Sequence, residues 1–173
     1  MQADLAGEFG ILPKAVNALL EVLPAAAKTA AEPQVERRLG QAYEQAGNIA
    51  ESEKHFLAAE RALHATHLNR VESQATLTSI ALFYSRQNKP QEAIRRFREA
   101  GNVPGQDLVN QARLQLSVVQ EASRLGKDAA APELARFDDL VAAARRTNLS
   151  SVDATLLNHM AQHAQRIREK SHL

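Results

Sequence analysis

The sequence predicts an all-α fold built from consecutive antiparallel helix pairs, and three observations lead to that reading. The chain of 173 residues holds 32 Ala and 21 Leu, the strongest helix formers, while strand-favouring aromatic and β-branched residues are scarce. A residue pattern also returns at a fixed offset. Leu39-Gly40-x-x-Tyr43 reappears 41 positions later as Ile80-Ala81-x-x-Tyr84, and the same shift carries Phe56 onto Phe97, Ala59 onto Ala100 and Ser52 onto Ala93. Finally, within each copy the apolar residues recur at helical spacing, interrupted by short turn signals.

Composition narrows the function classes. With 21 Lys+Arg against 20 Asp+Glu, no broad field draws the chain to nucleic acid or an anionic membrane. Its lack of cysteine excludes disulfides, thiolate metal sites and a cysteine nucleophile. Met1–Gly10 carries Asp4 and Glu8 and no basic residue, unlike a secretory leader. Ile11–Ala31 is broken by Pro13, Asn17, Glu21, Pro24 and Lys28, too polar for a membrane span. The expectation is a cytoplasmic protein and one helical-repeat domain over residues 1–173.

Taken in order, the first element is a helix at Lys14–Leu23 with Ala15, Ala18, Leu19, Val22 and Leu23 on one stripe and Pro13 near its start, where proline is tolerated. It reads as the second helix of a degenerate unit over 13–31. The first full pair, 33–68, opens with Val35, Leu39, Ala42, Tyr43 and Ala46 on one face. Gly47-Asn48 ends that helix, both residues accepting the left-handed conformation of a C-terminal cap. The second helix, Ile49–Leu68, repeats the stripe with Ile49, Phe56, Ala59, Leu63 and His67. Small residues such as Gly40 and Ala59 fall where two helices must approach closely. The next pair, 74–105, turns at Asn88-Lys89-Pro90. A weaker third, 108–146, echoes Pro90-Gln91-Glu92-Ala93 in Pro132-Glu133-Leu134-Ala135, with Leu125-Gly126 as the turn before it. A last helix, 151–171, follows the capping-box-like Ser150-x-x-Asp153, carries Leu156, Leu157, Met160, Ala164 and Ile167, and ends among Arg166, Arg168, Lys170 and His172, cations suited to a helix C-terminus.

These residues resemble the tetratricopeptide repeat family. Leu39, Gly40, Tyr43, Phe56 and Ala59 stand at five of its signature positions, and Ile80, Ala81, Tyr84, Ala93, Phe97 and Ala100 fill the corresponding set. Ser52 replaces a small Ala, Glu36 stands at the early Trp position, and His64 or Gly105 replaces a late Pro. Because the offset of 41 exceeds the usual ~34, the chain looks most like the longer-period, kinesin-light-chain-like subgroup. The resemblance implies a right-handed α-solenoid with capping helices at its ends.

The remaining residues form no catalytic pattern. His159 and His163 share a helical face, but Met160 stands where a zinc protease needs Glu. His64 and His67 read as ordinary helix residues. No serine sits in a Gly-x-Ser-x-Gly elbow, no glycine loop could cradle a phosphate, and the adjacent Asp138 and Asp139 point in different directions. In Arg95-Arg96-Phe97-Arg98, Phe97 belongs to the packing stripe, which leaves three arginines to an outer face near Glu92 and Glu99. No enzyme activity, cofactor, metal or nucleic-acid partner is expected.

The resemblance further implies a concave groove lined by the first helix of each pair: Gln34, Arg37, Gln41 and Glu44, then Ala75, Thr78, Leu82 and Ser85, then Arg113, Leu116, Gln120 and Ser123. Arg37, Gln41 and Ser79 stand where a carboxylate-clamping repeat would carry Lys and Asn, so that clamp is not assembled. Amides, hydroxyls, two arginines and an apolar strip at Leu82 and Leu116 suit a peptide backbone with apolar anchors. The expected function is a non-enzymatic scaffold or adaptor that holds a peptide or partner helix. The alternatives are a homo-oligomerisation element or the sensory segment of a larger regulator.

Overall fold

In the computed structural model, which describes residues 5–65 and 70–171, the chain forms helices α1 (Leu5–Ala26), α2 (Glu32–Gln45), α3 (Ile49–Ala65), α4 (Arg70–Arg86), α5 (Pro90–Gly101), α6 (Leu108–Leu125), α7 (Lys127–Arg145) and α8 (Ser151–Ser171). No strand occurs among the described residues. His67 and His172 lie outside them. The chain divides into two compact units, Met1–Ser79 and Ile80–Leu173, the division falling within α4.

In the first unit, α1 lays Val16, Leu19 and Leu23 against Val35, Leu39, Ala42 and Tyr43 of α2. Its helix begins well before Pro13, so that proline is interior rather than near the start. The turn after α2 is a Schellman motif: Asn48 N–H donates to the Tyr43 carbonyl and Gly47 N–H to that of Glu44, each at 2.9 Å, with Gly47 at φ 75°. The same pair of bonds recurs 41 positions on, Lys89 to Tyr84 and Asn88 to Ser85, with Asn88 at φ 55°. The repeat seen in the letters is thus also a repeat of backbone geometry.

Between α2 and α3 the backbones come very close. A Cβ added at Gly40 would stand 2.9 Å from the Phe56 ring. Ser52 places its hydroxyl 2.8 Å from the Gly40 carbonyl and donates to it. Glu36 is buried with His55 at 2.6 Å, and the His55 ring stacks on Tyr43 with centroids 5.2 Å apart.

In the second unit, Ile80, Ala81, Tyr84, Ala93, Phe97 and Ala100 are all buried. The third pair departs from the expected register. Pro132 lies inside α7 and is exposed, as is Ala135, because α7 starts at Lys127, directly after Gly126. Burial instead matches Ala130 to Ala93, a shift of 37. The similarity of Pro-x-Glu-Ala to Pro-Glu-x-Ala was a coincidence of letters. Leu134, Phe137 and Val141 of α7, Val109, Ala112, Leu116 and Val119 of α6, and Leu157, Met160, Ala164 and Ile167 of α8 form one core. Ser150 caps α8: its hydroxyl accepts from Asp153 N–H at 3.1 Å and donates to the Asp153 carboxylate at 2.7 Å.

One polar cluster on α7 was not legible beforehand. Glu133 accepts from Gln115 of α6 at 2.7 Å and from Arg98 of α5 at 2.5 Å. Burial acts to raise its carboxyl, but those hydrogen bonds and the charges of Arg98 and Arg136 outweigh it and hold the group below the ordinary carboxylate range.

Arg96 corrects a second expectation. It is buried rather than on the outer face, with Nη1 2.9 Å from Glu99, whereas Arg95 is exposed and pairs with Glu92. Denaturant unfolding should show Phe97→Ala costing about 3–5 kcal/mol through the cavity it leaves, and Ala81→Leu about 1–3 kcal/mol through overpacking. Arg96→Ala should cost clearly more than Arg95→Ala, which stays within about 0.5 kcal/mol; equal costs would place Arg96 on the wrong face.

Candidate partner-binding surface

The residues expected to line a groove divide into those the helices use to hold one another and those left facing water. In the first unit, Arg37 of α2 donates through Nε and Nη2 to Oε1 of Glu72 on α4, at 3.2 and 3.1 Å. Thr76 donates to the same oxygen at 3.3 Å. One helical turn on from Arg37, Gln41 Nε2 donates to Ser79 Oγ at 3.3 Å, and Ser79 donates to the Ala75 carbonyl at 2.9 Å. Gln34 is exposed and Glu44 half-buried. Thr78 is half-buried, and its hydroxyl oxygen is shut off from solvent with no hydrogen-bond partner among the described residues.

The second unit repeats the device. Ser85 near the end of α4 donates to Glu121 of α6 at 2.6 Å. Arg124 donates to the same Glu121 carboxylate at 2.7 Å, to the Ser85 carbonyl at 3.2 Å and to Asn88 Oδ1 at 2.6 Å. These ties link first helices of successive pairs, 35 to 38 residues apart in sequence. Arg37, Gln41, Ser79 and Ser85 were marked out by their repeat positions, whereas Glu72 and Glu121 were not. Glu72 and Glu121 lie near one repeat length beyond Arg37 and Ser85, and that spacing was the available signal.

Leu82 is 43% exposed although Ile80, Ala81, Phe83 and Tyr84 around it are all buried. Arg113 is exposed and donates to Asn110 at 2.7 Å within its own helix. Gln120 is half-buried, its amide nitrogen 3.4 and 3.5 Å from the two ring nitrogens of His163 on α8. Ser123 donates to the Gln120 carbonyl at 2.7 Å. Leu116 does not belong to an open face. It is buried against α7 and α8, because α8 packs over the stretch of α6 that carries it. Among the described residues no three His, Asp or Glu side chains gather as metal ligands, and no helix is long and apolar enough to cross a membrane.

Comparison with protein-family models, with curated proteins and with solved structures gives no match.

Both members of the Arg37–Glu72 pair are mostly shielded, at 15% and 18% side-chain exposure, so loss of one partner leaves a poorly hydrated charge. Arg37→Ala should lower stability by about 1–3 kcal/mol in urea unfolding, while Gln34→Ala, exposed on the same helix, should change it by less than about 0.5 kcal/mol.

Proposed function

We propose that the chain is a cytoplasmic, non-enzymatic protein-interaction module of the tetratricopeptide-like kind, a right-handed α-solenoid of helix pairs that holds a peptide or partner helix. The packing of adjacent antiparallel helices and the recurrence of the Schellman turn support the repeat reading. The observation that carries the functional reading is Leu82. It stands exposed on α4 one turn before Ser85, whose hydroxyl ties α4 to α6. The turn of α6 that leads into Glu121 carries half-buried Ser117 and Gln120. A leucine kept in water among hydroxyls and amides suits a bound chain that offers its own backbone groups and one apolar side chain.

The test is affinity capture with the full chain, followed by mass spectrometry and titration of whatever protein is retained. Leu82→Asp and Arg113→Glu should each weaken that partner by about tenfold or more, since a few central contacts dominate binding. Arg95→Glu on the exposed side of α5 should bind as the parent does. A partner lost with Arg95→Glu and kept by the other two variants would overturn the assignment.

A further inference from the structure

Helix α8 was expected to cap the chain. One side of it packs into the core with α6 and α7 through Leu157, Met160, Ala164 and Ile167. Its water-facing side carries a patterned stripe. Val152, Leu156, His159, His163, Arg166 and Lys170 are all exposed, and their spacings of four, three, four, three and four place them on a single stripe. His163 meets Gln120 of α6, so the stripe lies beside α6. Its second half opens into a groove of about 500 Å³ lined by His159, Gln162, His163, Arg166, Ile167 and Lys170.

The charges in that groove are one-sided. No carboxylate lines it, and the nearby acids are engaged elsewhere. Asp138 accepts from Arg168, Asp153 caps its own helix, and Glu169 faces the neighbouring surface with Arg145 and Asn158, where it accepts from Gln165 at 3.2 Å. Arg166 and Lys170 have no carboxylate partner among the described residues. The imbalance extends across the unit: residues 80–173 hold 14 of the 21 basic residues but 10 of the 20 acidic ones.

We propose that the α6–α8 face binds an acidic protein segment, its carboxylates along His159, His163, Arg166 and Lys170 and an apolar residue at Val152 and Leu156. This deepens the interaction-module reading and rests on it. Charge complementarity selects the occupant, since two unpaired cations over a partly apolar floor (Ile167) attract and orient a carboxylate-bearing chain. A nucleic acid fits less well. The stripe has no Phe, Tyr or Trp ring for bases to stack on, its two permanent cations fall short of the roughly six to ten phosphate contacts of a typical binder, and Val152 and Leu156 would gain nothing from a phosphate backbone.

The experiment is fluorescence anisotropy of the full chain with a fluorescein-labelled peptide of alternating Glu and Leu. A Lys-and-Leu peptide and an oligothymidine strand serve as comparisons. The Glu-and-Leu peptide should bind, weaken as salt rises, and lose about tenfold or more in affinity with Arg166→Glu combined with Lys170→Glu. The Lys-and-Leu peptide should not bind, and Arg95→Glu should change nothing. Circular dichroism melting should show the double variant folded as the parent. Acidic-peptide binding that survives the double variant but is lost with Leu82→Asp would overturn this inference and leave the interaction module standing. Tighter binding of oligothymidine would overturn it in favour of nucleic acid, and no binding of the acidic peptide would overturn it outright.

Discussion

The distance at which two helices can lie is the constraint from which the first pair follows, and Gly40 sets it. The Phe56 ring occupies the space where any other residue at that position would place its Cβ. A side chain there would push the helices apart and strip contacts from Leu39, Phe56 and Ala59, all buried to within 1% of full. Close approach also brings the Ser52 hydroxyl within reach of the Gly40 carbonyl, so a polar residue in a buried seam is satisfied by the same proximity that demands glycine. Forty-one positions on, Ala81 and Ala93 replace Gly40 and Ser52 and both are fully buried. A slightly larger residue facing a slightly smaller one keeps the seam filled without the hydrogen bond.

Where the apolar stripes hold helices within a pair, polar side chains hold first helices to one another. Arg37 with Glu72 and Gln41 with Ser79 do so in the first unit, and Ser85 with Glu121 in the second. These bonds are directional, so they set spacing and register more than they add net stability. They also engage much of the polarity that these helices carry. Gln34, Leu82, Arg113 and the stripe on α8 take no part in these ties and stay exposed.

Most of the architecture was legible because it rests on periodicity and turn chemistry. Helix periodicity, the Gly47 and Asn88 turns and the Leu39, Gly40, Tyr43, Phe56 and Ala59 set all express local rules that a single sequence displays. The misreadings have specific physical origins. Pro132 matched Pro90 by letter, yet an interior proline on the exposed side of α7 does not start a helix as Pro90 does for α5. Arg96 was placed outside because it is charged, but its position corresponds to that of buried His55, and Glu99 one turn away answers its charge. Leu116 was given to a groove because a repeat formula counts positions within one unit. Its burial depends on α8, a helix outside that formula. The polar ties and the basic stripe were hidden for a similar reason, since each depends on which helices become neighbours.

A double-mutant cycle on Gly40 and Phe56, measured by denaturant unfolding, tests the close-approach account most directly. Alanine in an exposed helix interior would stabilise by about 1 kcal/mol relative to glycine. Against the ring, Gly40→Ala should instead destabilise by about 1–3 kcal/mol. Phe56→Leu should relieve part of that cost, so the double variant falls short of additivity by more than about 0.5 kcal/mol. A stabilising Gly40→Ala, or strict additivity with Phe56→Leu, would show that the two helices do not meet at this glycine.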